Sequence, residues 1–198
     1  MDFSPHIAKW RRDPTLFVRS MLNAKPDEWQ SEVLNAVANQ DRGVSIRSGH
    51  GVGKTSCLSW LAIWWIAVHY NAKVVITAPT SAQLHDALLP EAKSWLKQAP
   101  EGFQENFIIR ADRIENSMDP QRNFISARTS RSEKPDALQG VHAEHVLLIA
   151  DEASGVPEQV YEAAGGSMSA HHATMVLAGN PVRSSGYFYD TFHKLAER

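Results

Sequence analysis

Three glycines followed by a lysine and a threonine form the stretch of this sequence best suited to chemistry. Residues 47–56 read Arg-Ser-Gly-His-Gly-Val-Gly-Lys-Thr-Ser. They follow a short apolar run, Gly43–Ile46, and precede a long one, so the order is strand, glycine-rich turn and helix. The glycines allow backbone N–H groups to turn inward, and the helix start adds its own unsatisfied N–H groups. The pattern therefore predicts a phosphate-binding loop.

Within this loop the residue types suggest separate tasks. Lys54 is placed to reach the β- and γ-phosphates of a nucleotide, and the Thr55 hydroxyl is placed to bind Mg²⁺. Ser48 stands where the full pattern has glycine, so an ordinary glycine-rich turn remains the alternative on the loop alone. The residues of the loop expected to contact nucleotide are Gly49, His50, Gly51, Val52, Gly53, Lys54, Thr55 and Ser56.

A glutamine on an earlier helix is a further candidate contact. Pro26 and Asp27 favour a helix start, and Gln30 lies 24 residues before Lys54. Its amide both donates and accepts, which matches the purine edge of adenine. We expect Gln30 to contact adenine, and the alternative is an exposed helix glutamine.

Polar residues follow two apolar runs near the end of the chain. His145–Ala150 runs directly into Asp151 and Glu152, at the end of a strand where α/β sheets bind their ligands. We expect Asp151 to hold Mg²⁺ and Glu152 to orient a water for attack on the γ-phosphate. The alternative, a helix-start acid pair, fits poorly with the unbroken apolar run. Asn180 follows the run 173–178 and could sense the γ-phosphate, or could be a turn residue before proline.

These residues need a sheet with parallel strands to bring them together. Apolar runs without alternation predict buried parallel strands, and shorter runs between polar residues predict antiparallel edge strands. We expect an α/β fold, a mostly parallel sheet flanked by helices with an antiparallel extension over 105–127. The predicted elements are core strands at 43–46, 73–78, 145–150 and 173–178, edge strands at 107–109 and 123–127, a central helix at 53–69, a helix divided near Pro90, a helix at 157–164 and a final helix reaching the chain end.

Composition narrows the classes of function. The 198 residues, 43% of them hydrophobic, suit one domain, and a net charge of −2 means that nucleic-acid binding would need a local basic face. The single cysteine, Cys57, excludes an internal disulfide and is expected to be buried. No signal peptide is visible, and the apolar run Leu58–Val68 is too short to span a bilayer. The histidines are interpreted as structural or surface residues rather than a metal site.

The combination of motifs resembles the ATPase domain of the large terminase subunit of tailed bacteriophages, over about residues 25–190. The resemblance implies a RecA-like P-loop NTPase fold of the ASCE type, with ATP and Mg²⁺ as cofactors. It gives Gln30, Lys54, Thr55, Asp151 and Glu152 the roles above and places Asn180 in a motif that couples hydrolysis to movement. The motifs that carry it are Gln30, the loop at 47–56, Thr77–Thr80, Asp151–Ser154 and Ala178–Pro181.

The arginines that the family uses are the residues hardest to assign to positions in this sequence. Many terminases carry an arginine in the loop four residues before the lysine, but His50 holds that position here and Arg47 is the nearest arginine. The family also uses an arginine from the neighbouring subunit. Arg128 and Arg131 are our candidates, because they lie in a locally basic stretch before the acidic strand.

The resemblance further implies a function in a larger assembly. ATP hydrolysis would drive double-stranded DNA into the procapsid, in a homo-oligomeric ring on the capsid portal, with a small terminase subunit, in the host cytoplasm and away from membranes. We expect residues 1–198 to be one ATPase domain, with 1–24 as an N-terminal segment, and no DNA cleavage, because the family's nuclease domain has no counterpart in this sequence. The alternatives are a helicase-type motor and a nucleotide-binding assembly module.

Overall fold

The computed structural model describes residues 3–130, 141–169 and 172–196. Within these ranges seven strands form one sheet, in the order β1-β7-β6-β2-β5-β4-β3. The strands are β1 (Gly43–Arg47), β2 (Ala72–Thr77), β3 (Phe107–Ile109), β4 (Arg113–Asn116), β5 (Phe124–Ala127), β6 (His145–Ala150) and β7 (His172–Gly179). The pairs from β1 to β5 in that order are parallel, and β5-β4-β3 are antiparallel. The mostly parallel α/β sheet with an antiparallel extension is therefore confirmed.

Helices cover both faces of the sheet. Their bounds are α1 (Ser4–Arg12), α2 (Pro14–Met21), α3 (Glu28–Ala38), α4 (Lys54–Val68), α5 (Ser81–Gln83), α6 (Leu89–Gln98), α7 (Glu101–Gln104), α8 (Glu158–Ala164) and α9 (Tyr187–Asp190). A single π-helical turn, Leu84–Leu88, joins α5 to α6. Pro90 is the second residue of α6, which directly follows the π-helical turn, so the helix is divided near Pro90 as predicted.

Helix α4 is the centre of the larger core. Every residue from Cys57 to Ile66 is buried, so the helix is covered on all sides, as its apolar sequence predicts. The indole of Trp64 donates to the carbonyl of Trp10 across 2.8 Å, which joins α4 to α1. A second apolar cluster lies on the other face of the sheet, where β6 and β7 pack against α8. None of the helices in the described ranges combines the length and apolar character needed to cross a membrane.

Two local predictions were wrong. The final helix does not run to the end, because α9 stops at Asp190 and the described residues after it form turns. The strand predicted at 123–127 as an antiparallel edge strand is β5, which lies inside the sheet. It pairs antiparallel with β4 and parallel with β2. Strand β4 itself was not predicted. The segment Arg113–Asn116 has only one apolar residue, so its sequence shows no strand pattern.

The parallel strands end together at one edge of the sheet. Arg47 of β1 is paired with Gly179 of β7, and Ala150 of β6 is paired with both Leu177 of β7 and Thr77 of β2. The segments that follow β1, β6 and β7 therefore emerge side by side.

Candidate active site

The phosphate-binding loop forms the turn between β1 and α4. Gly51 and Gly53 have φ angles of +72° and +85°, in the left-handed region that favours glycine. Gly53 directly precedes the first residue of α4, so the loop leads straight into the helix N-terminus. The structure thus supplies the strand, turn and helix arrangement that an anion-binding loop requires.

Lys54 points its ammonium into this loop. The side chain is buried, with 7% exposed, and Nζ donates to the carbonyl of Gly49 at 2.5 Å and to that of Ser48 at 3.4 Å. Within the described ranges, the hydrogen bonds of this cation go to neutral carbonyls, so it would gain strongly from an anion in the loop.

The loop's other members have different surroundings. Val52 is 41% exposed at the loop tip, and Thr55 lies half-buried in the first turn of α4. The Ser56 hydroxyl donates to Glu91 Oε1 at 2.7 Å, and the Trp95 indole donates to the same oxygen at 2.9 Å. Ser56 therefore joins α4 to α6 through its side chain, and nucleotide contact by Ser56 stays a prediction.

Asp151 emerges from the buried strand β6 beside this loop. Its backbone N–H donates to the carbonyl of Thr77 at 2.9 Å, and its Oδ1 accepts from the N–H of Glu152 at 3.0 Å. Burial raises the pKa of the Asp151 carboxyl, the neighbouring Glu152 charge adds to that rise, and the positive charge of Lys54 opposes it.

These surroundings fit a divalent cation. Among the described residues, none of the ion pairs includes Asp151, so its buried carboxylate would be stabilised by a bound metal. Asp151 and the Thr55 hydroxyl are hard oxygen ligands of the kind that Mg²⁺ takes alongside phosphate oxygens. The fit is chemical, and Mg²⁺ binding by these two residues stays a prediction.

Glu152 has an unusual backbone conformation. Its φ and ψ are +48° and +46°, the left-handed region that costs a non-glycine residue about 1–2 kcal/mol. The side chain is half-buried rather than enclosed. Such strain at a carboxylate beside a phosphate-binding loop is typical of a functional position.

Asn180 connects the end of β7 to both neighbouring segments. Its carbonyl accepts from the Ser154 hydroxyl, and its side-chain amide donates to Nε2 of His50 at 2.7 Å, with the imidazole proton then on Nδ1. His50 belongs to the phosphate-binding loop, and Ser154 follows the acid pair. The structure thus brings Asn180 to the loop, as expected from its position at the end of an apolar run, and γ-phosphate sensing stays a prediction.

Gln30 is buried, with 4% exposed, and both atoms of its amide are engaged. The oxygen accepts from the N–H of Asp27 at 2.8 Å in the capping box of α3, and Nε2 donates to the carbonyl of Gly53 at 3.0 Å. Adenine contact stays a prediction, and it would have to use the second N–H or the second lone pair. The exposed glutamine that was the alternative is not what the structure shows.

Of the two candidate arginines, the structure describes Arg128, which directly follows β5. The backbone of Arg128 continues along β2, donating to the carbonyl of Ile76 at 2.9 Å and accepting from the Thr77 hydroxyl at 2.7 Å. It therefore stands at the same edge of the sheet, on the side of β2 away from β6. Arg131 lies outside the described residues. The guanidinium of Arg47 packs on the ring of Phe192, 5.0 Å from its centre.

Sequence reasoning missed the residues that contact the acidic turn, Asp151–Gly155. The hydroxyl of Tyr161 on α8 donates to the carbonyl of Ala153 at 2.9 Å, and Gly155 lies directly against Pro79. Gly179 was noticed only as part of a motif, although it contacts the backbone beside Glu152. A glycine ending an apolar run was the only signal available for it.

Comparisons with known proteins agree with this geometry. A family profile described as "RNA cytidine acetyltransferase NAT10/TcmA, helicase domain" matches residues 45–180. The "Probable terminase, large subunit" of Enterobacteria phage P7 is 30% identical over 195 residues, which are 97% of this chain. The chain spans 40% of the length of that relative.

Solved structures show the same fold. The large terminase ATPase domain of Thermus phage P74-26 matches with a TM-score of 0.67 and 21% identity, over 91% of this chain and 74% of the other. The large terminase of another thermophilic bacteriophage, solved in complex with ADP, matches with a TM-score of 0.67 and 19% identity, over 87% of this chain and 43% of the other.

Proposed function

The chain belongs to the family whose model, described as the helicase domain of RNA cytidine acetyltransferase NAT10/TcmA, matches residues 45–180. On that premise we propose that it is the ATPase domain of a phage large terminase, and we propose how it hydrolyses ATP and what the hydrolysis drives. The observation that carries the mechanism is the meeting, at one edge of the sheet, of a buried lysine in a glycine loop with a buried aspartate and a strained glutamate. The ADP complex of the thermophilic phage relative supports a nucleotide as the ligand.

The loop binds the phosphates of ATP through its inward N–H groups. Lys54 exchanges the carbonyls of Ser48 and Gly49 for oxygens of the β- and γ-phosphates. Thr55 and Asp151 would hold Mg²⁺, which would neutralise negative charge on the phosphates. Gln30 fixes the end of the loop through Gly53 and lies where adenine can reach its remaining donor and acceptor sites.

Glu152 carries the chemical step. Its carboxylate orients a water and accepts a proton from it, while the water oxygen bonds to the γ-phosphorus and the bond to the ADP oxygen breaks. The Asn180 amide, held against His50, senses whether the γ-phosphate is present. Arg128 and Arg131 are the candidates for the arginine given to a neighbouring subunit.

In the full protein we propose that hydrolysis drives translocation of double-stranded DNA into a procapsid. The partners would be further copies of the chain in a ring on the portal, together with a small terminase subunit, in the host cytoplasm. The similarity to the probable large terminase subunit of phage P7 supports a role in DNA packaging. Residues 1–198 would act as one ATPase domain, and DNA cleavage is not expected from it.

A helicase-type motor is the second candidate, favoured by the helicase-domain profile over residues 45–180. Unwinding of a forked duplex by this chain would decide for it. Translocation along intact duplex, with no strand separation, would decide for packaging.

The first test is ATP turnover against protein concentration for the wild type, Lys54→Ala and the control Lys97→Ala, an exposed lysine near the end of α6. We expect turnover to rise more steeply than linearly and to vanish only in Lys54→Ala. An arginine supplied by a neighbour is worth roughly 10³–10⁵ in rate, so the dilute chain should be slow. Tight nucleotide binding with no turnover at any concentration would favour the assembly module instead.

A further inference from the structure

The end of β7 and the acidic turn approach more closely than side chains would permit. A Cβ built on Gly179 would lie 2.9 Å from the backbone nitrogen of Ala153 and 3.4 Å from the carbonyl carbon of Glu152. Both atoms are backbone and cannot rotate away. Gly179 has no positive φ, so this position requires glycine for space and not for conformational freedom.

The turn that it contacts, Asp151–Gly155, has no room on its other side. A Cβ built on Gly155 would lie 2.7 Å from Cγ of Pro79, whose ring is rigid. The turn is further held by the bond from the Ser154 hydroxyl to the carbonyl of Asn180. The left-handed conformation of Glu152 thus persists inside a segment fixed from both directions.

We propose that Gly179 is a positioning residue for Glu152, because its missing side chain lets the acidic turn lie flush against β7 and keeps Glu152 in its left-handed conformation. The inference rests on the proposed role of Glu152 in ATP hydrolysis. A methyl group at position 179 moves the turn away from β7 and displaces the carboxylate from the water that it orients. A misplacement of about 1 Å at a reacting group can cost about 10²-fold in rate.

The same contact gives Glu152 a short connection to the phosphate loop. Gly179 is followed by Asn180, whose amide donates to His50 at 2.7 Å. Two consecutive residues at the end of β7 therefore touch the acidic turn and the phosphate loop. A change in the loop on losing the γ-phosphate can reach Glu152 through this dipeptide.

The experiment compares Gly179→Ala with Gly43→Ala. Gly43 lies at the far end of the neighbouring strand β1 and has no atom within 4 Å of a built Cβ, so it is a matched control. ATP turnover, KM and ADP affinity are measured for both variants, together with their thermal unfolding. We expect Gly179→Ala to lose about 10- to 100-fold in kcat with ADP affinity unchanged, and Gly43→Ala to match the wild type.

A second comparison isolates the route through Glu152. In a Glu152→Gln background, Gly179→Ala should have no further effect on the residual rate, because the group that it positions is already gone. A further multiplicative loss in that background would overturn the proposal, as would an unchanged kcat in Gly179→Ala alone.

Two other outcomes are informative. If Gly179→Ala does not fold, Gly155→Ala crowds the same turn from the side of Pro79 and must show the same selective loss of kcat, and an unchanged kcat there overturns the proposal. If the wild type itself fails to hydrolyse ATP, the proposed function fails, whereas an active wild type with an equally active Gly179→Ala overturns the positioning role alone.

Discussion

The amide of Gln30 donates to the carbonyl of Gly53 across 3.0 Å and so ties the start of α3 to the last residue of the phosphate loop before α4. The same side chain caps its own helix by accepting from the N–H of Asp27. One buried amide therefore supports a helix end and a loop, and any adenine contact is added to those two tasks.

Gln30→Ala should lower stability by about 1 kcal/mol, because the capping box is lost. If Gln30 only supports the loop, the affinities for ATP and GTP fall by equal factors. If it also reads adenine, ATP affinity falls more than GTP affinity. Titration with both nucleotides measures the difference, and Gln98→Ala, at the exposed end of α6, is the control.

Glu152→Gly should stabilise the fold while abolishing turnover. Relief of the left-handed strain should raise the free energy of unfolding by about 1–2 kcal/mol. The extra conformational entropy of glycine in the unfolded chain lowers it by about 0.5–1 kcal/mol. Denaturant unfolding should therefore show a net gain of about 0–1.5 kcal/mol. Glu162→Gly, inside α8, is the control and should lose about 1 kcal/mol. A loss of stability in Glu152→Gly would contradict the strain.

His50 and Asn180 should be energetically coupled. Their single alanine variants each remove one side of the 2.7 Å bond, and the double variant removes both. We expect the effects on ATP turnover to be non-additive by about 0.5–1.5 kcal/mol, the range of one hydrogen bond. Strictly additive effects would mean that the contact does not link the loop to β7.

The edge of the sheet opposite the site should make stability depend on pH. The rings of His69 and His145 lie 4.5 Å apart, and those of His145 and His172 lie 4.9 Å apart. Burial, helped by the charges of His145, Arg11 and His172, lowers the pKa of His69 to about 3, while its bond to Trp65 opposes the shift. The folded state therefore keeps this imidazole neutral.

The sign follows from the direction of the shift. The unfolded chain binds a proton at His69 below about pH 6.5, whereas the folded chain does not until about pH 3, so stability is complete above pH 6.5 and declines as pH falls. The loss should approach about 1.4 kcal/mol per pH unit for this group. Urea unfolding of His69→Phe should show a shallower decline below pH 6.5. The exposed His85→Phe should leave the slope unchanged.

The sequence predicted the parts of the fold that have a continuous apolar pattern. Strands β2, β6 and β7 and the helix α4 are runs of buried residues, and their ends were placed within one or two positions. Strand β4 could not be found in this way, because it is held by the pairing of Arg110 and Arg113 with Glu115 and by its neighbours in the sheet. Such contacts form only after the chain has folded.

The residues of the candidate site likewise separate into those that the sequence pattern could predict and those that depend on contacts in the folded chain. Asp151 and Glu152 could be chosen because they directly follow an apolar strand, and Lys54 because it ends a glycine-rich loop after another strand. A parallel sheet brings such strand ends together. The clearance at Gly179 involves the backbone of Ala153, which belongs to a different strand connection. Nothing in the local sequence states how closely two backbones must pass.

Strand β7 lies between β1 and β6, pairing with β1 over Met175–Gly179 and with β6 over His172–Leu177. Strand β1, which leads into the lysine loop, and strand β6, which leads into the acid pair, therefore lie two strand spacings apart, roughly 10 Å, and this separation is set by peptide geometry rather than by any side chain. Core substitutions that preserve the pairing of β7 with β1 and β6 can accumulate without altering this separation. The separation of β1 and β6 can therefore stay constant while the core sequence changes, so distant relatives can share the same spacing between these two strands.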